Sequence, residues 1–176
     1  MTEIRAVVEA VCLSTPATRV AKAPQDEAFA GPHGFAGDRH ASELRQKRDG
    51  SVIPNERQWS AVSSDEISEL CAGLGVPVFA LGALGENLRL SGLRMADLAA
   101  GAVLEFPSGA RFEVSGQNDP CVNAAAELSQ TYGEAVGQYF VKQAYGRRGV
   151  VGRVLTPGPI RAGDEVTVRL QESRPA

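Results

Sequence analysis

Long apolar runs are missing from this chain. Nowhere in its 176 residues do 18 apolar residues follow one another, so there is no candidate for a membrane-spanning helix. The opening residues, Met1-Thr2-Glu3-Ile4-Arg5, lack the apolar core of a secretory leader, and the expectation is a cytoplasmic protein with no membrane partner. Cysteine is also scarce. Three thiols, Cys12, Cys71 and Cys121, cannot all pair within one chain, and their wide spacing matches no zinc pattern. Neither sign of charge dominates: 18 Lys and Arg against 21 Asp and Glu leave a net charge of −3. That balance argues against a nucleic-acid partner held through its phosphate backbone. Acid is absent from one stretch, residues 135–163, where Lys142, Arg147, Arg148, Arg153 and Arg161 all fall. Such a run reads either as a positive surface for one small anionic ligand or as a solvated basic face.

Turn formers, by contrast, are plentiful. Nineteen glycines and ten prolines punctuate the chain and imply short strands rather than long helices. Hydrophobic residues at 43% and charged residues at 22% are ordinary for a globular protein, and the length suits one domain over residues 1–176. Residues 4–13 read as a first strand, followed by a polar loop to Pro32 and an irregular stretch over residues 33–55. Residues 58–63 read as a strand running into a helix, with capping-box spacing in Ser63-Ser64-Asp65-Glu66. Ile67, Leu70, Cys71 and Leu74 make the buried stripe of that helix, and Gly75 stops it. Residues 86–90 read as a strand, and 103–106 with 111–114 as a hairpin around Pro107-Ser108-Gly109-Ala110. After Cys121 the pattern is helical, with Val136, Phe140, Val141 and Ala144 as the stripe. Strands return at 150–155 and 166–170, with Pro157-Gly158 and Gly163-Asp164 as turns. Leu98-x-x-Gly101-x-Val103 and Ile160-x-x-Gly163-x-x-Val166 echo each other as two similar turns into strands. The fold class is β-rich, mainly β with a few helices, and barrel-like.

Cys121 is the chief candidate for chemistry. It ends the run Ser115-Gly116-Gln117-Asn118-Asp119-Pro120-Cys121 after a strand, and Pro120 prevents that strand from simply continuing. Cys12 and Cys71 sit in apolar patterns and read as packing residues. Three other segments stand out: Gly37-Asp38-Arg39-His40, Leu84-Gly85-Glu86-Asn87-Leu88 and Arg147-Arg148-Gly149.

Taken in order, Gly34-x-x-Gly37-Asp38-x-His40, Arg57-Gln58, Gly85-Glu86-Asn87-Leu88, Pro120-Cys121 and Gly158-x-Ile160-x-x-Gly163-Asp164 resemble the MOSC domain, the C-terminal module of molybdenum-cofactor sulfurases. The likeness is greatest to small, stand-alone bacterial members. It implies a β-barrel-like MOSC domain and a small-molecule partner, molybdenum cofactor of the molybdopterin type. In cofactor-binding members the Cys of the Pro-Cys pair is the protein ligand to molybdenum, which here is Cys121. The resemblance assigns Arg57, Asn87 and Arg148 to the pterin and its phosphate, with Arg39 and His40 nearby. Asn118, Asp119, Val122 and Asn123 stand where redox members carry basic residues. No pyridoxal-phosphate domain fits in this length, so no pyridoxal phosphate is expected.

Three functions follow from that resemblance. One is a molybdenum-cofactor oxidoreductase of N-hydroxylated compounds that borrows electrons from a partner reductase. Another is a sulfur carrier that delivers persulfide sulfur from Cys121 to metal–sulfur centres, with a sulfur-donor protein as partner. The third is a non-catalytic cofactor carrier. A low-lying thiolate is sufficient for the second and needs no bound metal. The sequence fixes neither the substrate nor the oligomeric state.

Overall fold

A computed structural model describes residues 2–171. In chain order the elements are β1 (Thr2–Ser14), β2 (Lys22–Gln25), β3 (Glu27–Gly31), β4 (Gly34–Phe35), β5 (Leu44–Gln46), β6 (Val52–Pro54), β7 (Trp59–Ser63) and α1 (Ser64–Leu74). There follow β8 (Leu88–Ser91), a 3₁₀ turn at Met95–Asp97, β9 (Val103–Glu105), β10 (Arg111–Gln117), α2 (Val122–Tyr132), α3 (Glu134–Ala144), β11 (Val150–Thr156), β12 (Gly158–Arg161) and β13 (Glu165–Leu170).

Seven strands close into a barrel in the order β13-β9-β10-β11-β7-β8-β1, with β1 pairing back onto β13. Closure removes the sheet edges that would otherwise invite aggregation. The 13-residue β1 is long enough to serve three neighbours: its first half pairs with β13, its middle with β8 and its end with β2. Every pairing in the barrel is antiparallel except β7 with β8. A parallel pair needs a crossover, and α1 supplies it. A small sheet, β12-β3-β4, and the β5–β6 hairpin lie outside the barrel.

Alternation along the strands points one set of side chains inward. Phe112 sits in that interior with Phe35, Trp59 and Phe106 around it, at ring-centroid distances of 5.7, 5.3 and 4.8 Å. A second apolar cluster forms where α1, α2 and α3 meet the loop before β8, from Ile67, Leu70, Cys71, Phe79, Leu84, Leu128, Val136 and Phe140. The candidate site described below takes lining from both cores, Trp59 from the first and Leu84 from the second.

The helix expected after Ser63 forms, and Ser63 caps it by accepting from the Glu66 amide. Only half of the capping box is made. The Glu66 carboxylate is buried and turns instead to the Met95 and Ala96 amides, which ties α1 to the 3₁₀ turn. Gly75 ends the helix in a left-handed conformation. The hairpin at residues 103–114 forms as β9 and β10. Gly101 and Gly163 adopt nearly the same φ, 91° and 92°, and lead into the paired strands β9 and β13, so the repeated pattern does mark two equivalent turns.

Four expectations are corrected. The segments read as loop up to Asn55 contain β2 to β6, strands of two to five residues too short for a period-2 signal. Gly158 does not make a turn: it begins β12 and pairs with Ala30. The helical stretch after Cys121 is two helices, because Gly133 takes φ 103° and separates α2 from α3. The basic run does not form one face. Arg153 pairs with Glu113 and Arg161 with Glu27, while Arg148 is buried.

Candidate functional site

β10 delivers the chain to Cys121 along a fixed path. The Gln117 amide group donates to the Met95 and Leu98 carbonyls, and the Asn118 N–H donates to the Gly149 carbonyl at 2.8 Å. Cys121 then occupies the N-cap of α2 in an extended conformation, its Sγ accepting from the Ala124 amide at 3.5 Å. It is the one exposed cysteine, while Cys12 and Cys71 are buried. Burial pushes the Cys12 thiol up to about 12, with the Glu86 charge adding to the effect, and burial raises Cys71 as well. Those two thiols stay protonated and inert. The sulfur of Cys121 faces the first-turn N–H groups of a helix, where negative charge is favoured.

Beside Cys121 is a cavity of about 230 Å³ lined by Arg19, His40, Arg57, Trp59, Leu84, Asn87, Asn118, Asp119 and Arg148, among others. This is below the ~300 Å³ at which pockets begin to enclose a drug-sized ligand. It accommodates a group of a few atoms, or the end of a larger molecule.

Arg148 is the unusual member of the lining. Only 6% of the residue is exposed. Its Nη2 donates to the Leu84 carbonyl at 2.5 Å, but Nε and Nη1 have no partner, so the three N–H bonds on those two nitrogens go unused. Burial holds the guanidinium below the ordinary arginine range. Glu86 and Cys121 favour its charge, and Arg57 opposes it. Arg57 is also lowered, by burial and by the neighbouring Arg45, against the favourable charges of Asp119 and Cys121; its Nη2 donates to Asn118 Oδ1 at 2.7 Å. Three guanidinium groups, on Arg19, Arg57 and Arg148, thus line the cavity against the single carboxylate of Asp119. Arg148 reaches its position because Gly149 sits at φ 105°, with its Cα so close to β7 that a Cβ would lie 2.0 Å from the Ala61 carbonyl oxygen. No other residue type fits there.

The walls are held by three charged hubs. Asp38 is buried and accepts from the Ser14 amide and hydroxyl, Lys22 Nζ, the His40 amide and Asn87 Nδ2. Burial would raise this carboxyl, but hydrogen bonding from His40 and the charge of Lys22 override it and hold the group well below the usual carboxylate range. Lys22 is equally buried, and burial lowers it despite its partner. A second hub, Glu86, accepts from the Gly82 and Leu84 amides and from Arg89, whose other donors take the Phe79 and Ala80 carbonyls. That pair fixes the loop presenting Leu84 to Arg148. The third hub is formed by Arg39 and Glu127. Arg39 donates to the carbonyls of Thr18, Arg19 and Ala21, and Glu127 accepts from the Val20 and Ala21 amides. The loop bearing Arg19 is thereby clamped from both sides.

Of the residues singled out in the sequence, Cys121, Arg57, Arg148, His40 and Asn87 come together at one cavity. Arg39 does not line it, and its guanidinium serves the neighbouring loop. Asn87 lines it, but both its N–H bonds are taken, by the Cys12 carbonyl and Asp38, and its oxygen accepts from the Ser60 amide. His40 is about half exposed, with Nδ1 3.2 Å from Lys22 Nζ and 3.3 Å from Asp38 Oδ1. Sequence reasoning missed Arg19, Lys22 and Glu127. Arg19 and Lys22 stood in a segment read as plain loop, and Glu127 is 107 residues from the amide it accepts, so no local signal marks any of them.

The MOSC domain family model matches residues 36–167, and the chain belongs to this family. Over 122 residues it is 37% identical to the Bacillus subtilis protein YuaD, whose provisional name assigns it to metal–sulfur cluster biosynthesis. That alignment covers 68% of this chain and 64% of the relative. The crystal structure of B. subtilis YuaD superposes with a TM-score of 0.92 at 29% identity, over 97% of this chain and 99% of that one. YiiM from Geobacillus stearothermophilus shares the fold, with a TM-score of 0.68 at 20% identity, over 93% of this chain and 75% of that one. Among the described residues no helix is long and apolar enough to cross a membrane.

Proposed function

We propose that the protein is a sulfur carrier in which Cys121 accepts sulfane sulfur as a persulfide and passes it on for the assembly of metal–sulfur centres. The observation that carries this reading is the position of Cys121: an exposed thiol at a helix N-terminus, beside a cavity whose lining includes a buried guanidinium with free donors. The YuaD name supports the metal–sulfur context. In the loading step the Cys121 thiolate attacks the outer sulfur of a donor persulfide. A new S–S bond forms, the donor S–S bond breaks, and the donor leaves as a thiolate. The reverse exchange with an acceptor thiolate regenerates Cys121, so no external oxidant or reductant is consumed. A persulfide is acidic and carries its charge on the outer sulfur, where Arg148 and Arg57 meet it.

A second reading keeps the same pocket for the molybdenum cofactor that the family implies. Two features fit that group. Cys121 offers the soft sulfur that molybdenum takes, and the unpartnered Nε and Nη1 of Arg148 suit a phosphate oxygen. Bound there, the cofactor would supply a redox-active metal for the reduction of N-hydroxylated compounds. Asn87 has no N–H left for a pterin edge, and the cavity volume admits only one end of such a molecule.

One preparation separates the two readings. Wild type and Cys121→Ala are purified from a host competent in cofactor synthesis, then assayed for cyanide-labile sulfur and for molybdenum. Labile sulfur in wild type, lost in the variant and without molybdenum, is the expected result. Near-stoichiometric molybdenum that disappears with Cys121 would replace the sulfur-carrier reading by the second.

A further inference from the structure

A buried guanidinium with three free N–H bonds is an expensive feature for a fold to keep. Leaving charged donors desolvated and unpaired carries a free-energy penalty that a solvent-exposed arginine avoids. Arg148 is not an accident of loose packing, since its Nη2 is anchored on Leu84 and the Leu84 loop is itself clamped by Glu86 and Arg89. An anionic oxygen answers such donors best, because charge-assisted hydrogen bonds are the strong ones. Arg57, also held below its ordinary range, and Arg19 line the same cavity. A persulfide on Cys121 brings one negative charge, and the group that leaves in the loading step brings another.

The geometry points to a sulfur donor whose leaving group is itself a small oxyanion: a thiosulfonate, of which thiosulfate is the simplest. This inference rests on the sulfur-carrier reading and specifies its substrate class. The Cys121 thiolate attacks the outer sulfur of thiosulfate. The bond between Sγ and that sulfur forms, the sulfur–sulfonate bond breaks, and its electron pair leaves with sulfite. One thiolate and one dianion become one persulfide anion and one sulfite dianion, so charge and electrons balance without a further reactant. Arg148 grips the sulfonate oxygens with N–H groups that spread over several directions, and the charge of Arg57 offsets the approach of a dianion to a thiolate. The ~230 Å³ cavity admits a donor of five heavy atoms, whose sulfonate oxygens give Arg148 acceptors that a peptide-borne persulfide lacks.

The test mixes reduced protein with thiosulfate and measures sulfite released together with the sulfur gained on the Cys121 peptide by mass spectrometry. An alkyl persulfide, whose leaving group is a thiolate rather than an oxyanion, serves as the comparison donor. Wild type should release sulfite in proportion to the persulfide formed, and Cys121→Ser should do neither. Arg148→Gln should lose at least tenfold in second-order rate with thiosulfate and distinctly less with the alkyl persulfide. Arg153→Gln, which removes an exposed charge paired with Glu113, should react as wild type. Wild type that accepts sulfur from the alkyl persulfide but releases no sulfite overturns the thiosulfonate inference and leaves the carrier reading standing. Failure with both donors overturns both. Equal losses at Arg148→Gln with the two donors would show that the guanidinium does not recognise the leaving group.

Discussion

Replacing Asp38 by Asn removes a single charge, and the structure makes this a severe change. Among the described residues Asp38 is the only carboxylate bonded to Lys22, and both side chains are fully buried at a separation of 3.1 Å. Four other donors, on Ser14, His40 and Asn87, converge on the same two oxygens. Breaking a buried pair from one side typically costs about 3–5 kcal/mol, because the remaining charge is left without compensation. An Asn at this position also turns an N–H group toward donors. With a urea m-value of about 2 kcal/mol/M, the midpoint should fall by roughly 1.5–2.5 M. Trp59, the only tryptophan of the chain and fully buried, reports the transition through its emission. The pH dependence supplies a second readout. Because the folded carboxyl is depressed, its contribution is full well above the unfolded value of about 3.9 and is lost as pH falls through that value toward the lower folded one. Wild type should therefore lose stability steeply on acidification, and Asp38→Asn should lose less over the same range. A midpoint shift under about 0.5 M, or parallel acid profiles, would refute the view of Asp38 as the hub of this wall.

Iodoacetamide applied to native protein should add a single group, at Cys121. Cys12 and Cys71 should react only after denaturation, as intact-mass and peptide analysis would show. Gly149→Ala should destabilise by about 2–4 kcal/mol, since its Cβ would fall on the Ala61 carbonyl, and a loss under 0.5 kcal/mol in urea would contradict the geometry. Arg148→Met should raise stability by about 1–2 kcal/mol by removing an unpaired buried charge, while abolishing any thermal stabilisation by thiosulfate or sulfite. A drop in melting temperature would mean that Arg148 is held for packing.

What the sequence made legible was what local chemistry controls. The stripe and caps of α1, the β9–β10 hairpin and the presentation of Cys121 all arise within a dozen residues, and all were readable. The strands before Asn55 were not. β3 finds its partner in β12 across the full length of the domain, with Glu27 opposite Arg161, and no local pattern announces such a pairing. The site divides in the same way. Cys121 and Arg148 stood out because a Pro or a Gly beside them forces an unusual backbone, whereas Arg39 and Asn87 carry suitable side chains whose donors are committed to distant carbonyls. A residue type signals what it can do, and the hydrogen-bond inventory decides whether it is free to do it. Gly133 could have been read as a break, being an isolated Gly within a helical pattern.

Closing the barrel through β1 and β13 has a consequence for the order of events when the chain folds. Thr2 must find Leu170 and Val7 must find Glu165, so the last seam joins the two ends of the sequence. Loop-closure entropy must be met before those contacts return anything, which makes this seam a slow and late step. During synthesis the middle and end of β1 can pair with β8 and β2 while its first half waits for a strand the ribosome has not yet released. The far end of the same strand carries the wall beneath the cavity, because Cys12 and Ser14 are bonded to Asn87 and Asp38. A product truncated before β13 would leave the first half of β1 without its partner, so the strand that carries Cys12 and Ser14 into the cavity wall would be held by β8 and β2 alone.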